Sequence, residues 1–238
     1  MPDTNVLKAV NARRWAQAKP TRNFAAVANR LAASTAKARY QAVSAKTGVP
    51  WFFIAVAHER EASQNWNSQL GQGDPLGAVS VHVPKGRGPF KTWEDGAVDA
   101  LVNCAPFAAR NHDWSVGGTL TMLELYNGLG YAAKGRSSPY IWSGTDQYVS
   151  GKYVRDGVYD PNVVDQQLGC AGLIMAMMQI DPSIKFGEVT VGEARVSPTK
   201  TTPVVPSPSV TPSITHPAPG SVGAWLANLI SSIFTHHK

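Results

Sequence analysis

Trp51-Phe52-Phe53-Ile54-Ala55-Val56-Ala57-His58-Glu59-Arg60-Glu61 is the stretch on which the reading of this chain turns. Its first seven residues are apolar on every side of a helix rather than along one stripe, the pattern of a helix running through a core. Gly48-Val49-Pro50 stops the preceding segment and suits a helix start, with Pro50 at a first-turn position, so a helix is predicted over residues 49–61. Its last turn delivers carboxylates beside a polar segment that ends in the glycine-rich loop Gly71-Gln72-Gly73-Asp74-Pro75. A carboxyl packed against apolar neighbours and facing the negative end of a helix dipole has its charged form disfavoured on both counts, and it can stay protonated near neutral pH. Such a group can protonate a leaving oxygen. The ordinary reading is that His58, Glu59, Arg60 and Glu61 form a solvated cap, since Glu and Arg are common where any helix emerges into water.

Composition bounds the answer. A chain of 238 residues with 43% hydrophobic content is long enough for one buried domain plus an extension, which excludes disorder throughout. A net charge of +6 and a pI near 9.4 favour a polyanionic partner, whether nucleic acid, acidic lipid headgroups or a carboxylate- and phosphate-bearing wall. No Lys/Arg-rich block with interleaved aromatics and no zinc-finger spacing occurs, so no nucleic-acid partner is expected. Cys104 and Cys170 read as buried small hydrophobes, a disulfide between them staying open, and they make neither a metal site nor a catalytic thiol. Met1-Pro2-Asp3-Thr4-Asn5 lacks a basic region followed by an apolar one, so no secretory signal is read, and a substrate outside the cell would require release by another route.

Residues 6–19 and 22–46 are rich in Ala, Lys, Arg and Leu at helical spacing, and they predict two basic helices packing on the domain as an N-terminal unit, residues 1–47. Alternation in Val79-Ser80-Val81-His82-Val83, between Gly and Pro, predicts a small β-hairpin lobe within residues 71–89. Thr92 and Asp95 fit a capping box for a helix reaching residue 101 or 102. Further helices are predicted at 116–126 and at 161–178, the latter with Asp160 as N-cap and Pro161 in the first position. Ser138-Pro139-Tyr140-Ile141-Trp142-Ser143 reads as an aromatic loop. The resulting fold class is mainly α with a small β element, over residues 48–188. Residues 197–220 hold seven of the 17 prolines, so a Pro/Ser/Thr-rich linker is assigned to 189–220. Val222, Trp225, Leu226, Leu229, Ile230 and Ile233 share one helical face, which makes 221–238 an amphipathic helix suited to an anionic membrane or lipopolysaccharide surface, to a docking partner, or to folding back on the domain.

Two carboxylates thirteen positions apart, Glu61 and Asp74, could face each other across a groove, the geometry of glycoside hydrolysis. Alternatively, Asp74 before Pro75 caps a turn, and the acid works alone. Residues two apart on a helix point to nearly opposite sides, so Glu59 and Glu61 cannot share one cleft. Tyr126-Asn127-Gly128 closes a helix and can be a C-cap, yet Asn127, Tyr126 and Tyr131 also suit sugar hydroxyls, as do Tyr140 and Trp142.

The combination of His58-x-x-Glu61, Gln72-Gly73-Asp74-Pro75-Leu76, Val81-His82-Val83-Pro84, Pro89-Phe90-x-x-Trp93-Glu94, Tyr126-Asn127-Gly128-x-Gly130-Tyr131 and Ser138-Pro139-Tyr140-Ile141-Trp142-Ser143 resembles a bacterial and phage lysozyme-like family over residues 45–182. More distantly, the Glu-to-Asp spacing and the Tyr-Asn pair are similar to goose-type lysozymes and soluble lytic transglycosylases. The resemblance implies a lysozyme-like α+β fold and cleavage of peptidoglycan strands without metal or organic cofactor, by a protein expected to be a monomer. It implies Glu61 as general acid, Asp74 as water-positioning carboxylate, and Tyr126 and Asn127 in the sugar cleft; His58, Tyr131, Tyr140 and Trp142 are read beside them on the substrate side. Transglycosylases follow their Glu with Ser, whereas Ala62 stands here; plant-type chitinases place the acid directly after a His, which would nominate Glu59. The readings carried forward are a muramidase, a lytic transglycosylase or chitinase-like glycosidase, and, from another class, a non-catalytic wall-binding or virion structural module.

Overall fold

In a computed structural model, residues 2–71, 73–155 and 157–187 are described. The assigned linker and the amphipathic helix at 221–238 lie outside them. Among the described residues the chain forms eight α-helices and one two-stranded antiparallel sheet: α1 (Thr4–Gln17), α2 (Ala25–Ala32), α3 (Ser34–Thr47), α4 (Trp51–Ala62), α5 (Trp93–Asn103), α6 (Val116–Asn127), α7 (Pro139–Trp142), β1 (Lys152–Arg155), β2 (Val158–Asp160) and α8 (Cys170–Ile180). The mainly α class is as the sequence implies.

Helix α4 is the hub. Phe52 to Ala57 are at most 3% exposed on every side of the helix. Helices α2, α3, α6 and α8 close around it, while α5 packs on α3 and α1 on α6. Pro50 takes the N-cap rather than the first turn, and the C-cap Ser63 adopts the left-handed conformation, with its N–H bonded to Glu59 O at 2.9 Å. Thr92 caps α5 as read, accepting from the Asp95 N–H at 3.1 Å while donating to the Asp95 carboxylate at 2.7 Å.

Further expectations need correction, the first being that 138–143, read as an aromatic loop, carries the short helix α7 with Pro139 in its first turn. The basic segment at 22–46 is two helices, because Ala33 turns extended (ψ 139°) so that α2 can lie on α8 and α3 on α4. In place of the predicted hairpin, residues 73–89 form an irregular loop held by an isolated bridge between Ser68 and Pro75, and Val79 and Val81 face solvent at 52% and 66% exposure. The sheet lies instead at 152–160, where Tyr153 pairs with Tyr159 and Gly157 takes φ +70° at the turn. Asp160 is therefore the end of a strand and not a helix cap: its Oδ1 accepts the Asn162 N–H at 2.9 Å in an Asx turn, and the helix begins only at Cys170.

Helices α2 and α8 meet through a missing side chain. A Cβ on Gly172 would fall 2.1 Å from Phe24 Cζ, and Phe24 is 4% exposed, so the ring has nowhere to go. Gly172→Ala is expected to cost about 1–3 kcal/mol by overpacking. Adding Phe24→Leu in the same chain should return part of that loss. Urea unfolding measures both; an unchanged midpoint for Gly172→Ala would contradict the close approach of α2 and α8.

Candidate functional site

Four consecutive side chains in the last turn of α4 leave the helix roughly 100° apart and meet four different environments. His58 is fully buried, with the rings of Tyr40, Trp66 and Trp93 centred 6.0, 4.7 and 4.5 Å away. Its Nε2 lies 3.1 Å from Asn65 O, which can only accept, so Nε2 carries the proton and Nδ1 accepts from the Tyr40 hydroxyl at 3.1 Å. Burial lowers its pKa to about 4 and keeps the ring neutral. The substrate-binding role expected of His58 is corrected accordingly: it is a hydrogen-bonded core residue.

Glu59 points toward α2 and pairs with Arg30 Nη2 at 2.9 Å. Arg60 turns the other way, into the interior, where its Nη2 meets Asp165 Oδ2 at 2.9 Å and its guanidinium lies 4.9 Å from the Tyr140 ring centroid. Lys152 on β1 completes the cluster, with Nζ 2.7 Å from Asp165 Oδ1. Burial pushes the Asp165 carboxyl up, and the two cations more than offset it, leaving its pKa below the usual carboxylate value.

Glu61 is half-buried. The Tyr140 hydroxyl donates to its Oε1 at 2.8 Å. Burial raises the Glu61 pKa to about 7, against the opposing Tyr140 hydrogen bond and the Arg60 charge. Tyr126, buried and edge-on to Phe53 at 6.3 Å between ring centroids, lies close enough that the Glu61 charge adds to burial in pushing its phenol up. Cys170 is buried nearby, and its thiol too is pushed well up by burial. Cys104 is likewise free, so the two do not form a disulfide.

Tyr140 links Glu61 to a cavity of about 330 Å³, since it also lines that space, together with Asn127, Tyr131, Tyr153, Lys134, Lys152 and Asp165. Asn127 and Gly128 reach it from the end of α6, where Gly128 turns the chain at φ +87°. Tyr131 accepts the Tyr153 N–H at 3.0 Å through its hydroxyl and meets the Tyr153 ring edge-on at 5.0 Å.

Asp74 does not join this group. It is 5% exposed, and both carboxylate oxygens are engaged within its own loop: Oδ2 accepts the Val81 and His82 N–H groups at 3.1 Å each, and Oδ1 meets His82 Nδ1 at 2.7 Å. Its charge is not among those that set the Glu61 pKa. The turn-capping reading is the one that matches this geometry. Trp142 is also displaced from the expected position: it is 1% exposed and lines a separate cavity of about 390 Å³ under α1, beside Leu7, Val10 and Glu124. Arg60, Lys152 and Asp165 were not singled out by sequence; the signal for the hairpin that carries Lys152 was the β-rich Lys152-Tyr153-Val154 and Val158-Tyr159 around Gly157.

Compared with protein families, with curated proteins and with solved structures, the chain matches none.

A carboxyl whose pKa is raised from 4.5 to about 7 by folding adds stability that is complete below pH 4.5 and is lost as pH rises through 7. Glu61→Gln, which keeps an acceptor for Tyr140, is therefore expected to match the wild type near pH 4 and to exceed it at pH 8 by on the order of 3 kcal/mol. Unfolding by urea at the two pH values reads this; equal stability at pH 8 would contradict a destabilised Glu61 carboxylate.

Proposed function

We propose that this chain is a peptidoglycan hydrolase with a lysozyme-like fold, a muramidase that cleaves the β-1,4 bond between N-acetylmuramic acid and N-acetylglucosamine, with Glu61 as general acid. The observation that carries the reading is the Glu61 carboxyl, held protonated near neutral pH at the end of a buried helix and one hydrogen bond from a cavity of small-ligand size.

Because Tyr140 O–H donates to Oε1, the acid proton belongs on Oε2, free to pass to a leaving glycosidic oxygen. As the bond breaks, a water adds at the anomeric carbon and its proton returns to the Glu61 carboxylate, which in the meantime is favoured by the same Tyr140 hydrogen bond and by Arg60. Asn127, at the end of α6, offers an amide to an N-acetyl group or a hydroxyl.

A second reading, a lytic transglycosylase, draws on the engagement of Asp74 by its own loop, which takes away the expected water-positioning carboxylate. In that case Glu61, having given up its proton, accepts one from the sugar's own 6-hydroxyl as the ring closes to an anhydro product.

Zymography on purified walls is expected to give a clearing band for the wild type that falls by about two to four orders of magnitude in Glu61→Gln and persists in Glu59→Gln, with lysis declining as pH rises through about 7. Mass spectrometry of the released fragments separates the two outcomes: reducing ends support the muramidase, and anhydro-muramic ends support the transglycosylase. No clearing by the wild type, or clearing that survives Glu61→Gln and vanishes in Glu59→Gln, would overturn the assignment.

A further inference from the structure

The cavity beside Glu61 carries a charge excess that a neutral sugar would not use. Among the described residues, Arg60, Lys152 and Lys134 line it against one acid, Asp165. Asp165 is fully consumed, one oxygen by Arg60 at 2.9 Å and the other by Lys152 at 2.7 Å. Lys134 has no ion-pair partner among the described residues. Its ammonium lies 5.4 Å from the centroid of the Tyr153 ring, at the exposed edge of the cavity, held there by the 3-10 turn Ala132–Lys134. A contact of that kind is weak at an exposed site and yields readily to a carboxylate.

Shape points the same way. Gly128, Gly130 and Gly157 present bare backbone to the space, and Tyr131, Tyr140 and Tyr153 line it with them, so the pocket suits an amide-bearing chain with an acidic end. The buried Arg60-Asp165-Lys152 cluster is held from three segments, α4, β1 and the chain before α8, and stays fixed while an occupant enters. An anion there meets a net positive wall already stripped of much of its water, where complementarity counts for more than on open surface.

We propose that this cavity receives the acidic peptide substituent of the glycan, with Lys134 recognising its carboxylate, so that the chain selects acidic, peptide-bearing strands over neutral chitin-like ones. The inference rests on the glycan-cleaving reading above and deepens it: Tyr140 lines the cavity and also bonds Glu61, so the cavity and the acid are one hydrogen bond apart.

The test uses the full chain and two probes, N-acetylmuramyl-L-alanyl-D-isoglutamine and the same molecule with its free carboxyl converted to an amide, titrated by calorimetry at low salt. The acid is expected to bind about fivefold more tightly than the amide, a preference that shrinks as salt is added. Lys134→Gln is expected to erase the preference, and Lys134→Arg to keep it. Equal binding of the two probes, no measurable binding of either, or a preference that survives Lys134→Gln would overturn the proposal. Wall lysis assayed in parallel keeps the two claims apart. Lysis without acid preference sinks the cavity proposal alone, and acid preference without Glu61-dependent lysis sinks the catalytic reading alone.

Discussion

Burial of α4 on every side is the constraint from which the rest follows. A helix that is apolar all round must end inside the protein, so its last turn cannot spread its charges into water and each one has to be dealt with individually. His58 is neutralised by burial and tied to Tyr40 and Asn65; Glu59 reaches Arg30 at the rim; Arg60 is matched by Asp165; Glu61 is left with a phenol as its direct partner. The last of these has its proton poised near neutral pH.

Two groups three positions apart thus stay uncharged for the same reason and pull stability in opposite directions with pH. The lowered His58 pKa, about 4 against 6.5, contributes stability present above 6.5 and lost as pH falls toward 4. The raised Glu61 pKa contributes stability present below 4.5 and lost toward 7. The Arg60-Asp165-Lys152 cluster is what keeps the interior tolerable between them. Removing Asp165 would leave two cations facing one another, while with it in place the Arg60 charge on Glu61 is moderated rather than dominant.

How much of this was legible in the sequence differs by element for physical reasons. The core helix could be read because seven apolar residues in a row leave little choice, and the α5 cap because Thr92 and Asp95 are local partners. The segment 71–89 misled because Val79 and Val81 alternate like a strand yet find no partner to pair with, and alternation alone supplies no ladder. Asp160-Pro161 misled because the same dipeptide that opens a helix also makes an Asx turn, and Val163 and Val164 after it continue the chain without a helix. Within the site, Glu61, Asn127, Tyr131 and Tyr140 were identifiable from local motifs. Asp165 was not, since it meets Arg60 from 105 positions away, and the diversion of Asp74 to its own loop depends on a backbone path that no spacing encodes.

The central claim is that the fold holds a protonated carboxyl at position 61, and the most direct measurement is a carbon-13 NMR titration of the glutamate side-chain carboxyls, with Glu61→Gln used to assign the resonance. The account predicts a midpoint near 7 for that carbon. A midpoint near 4, that of a glutamate in water, would contradict it.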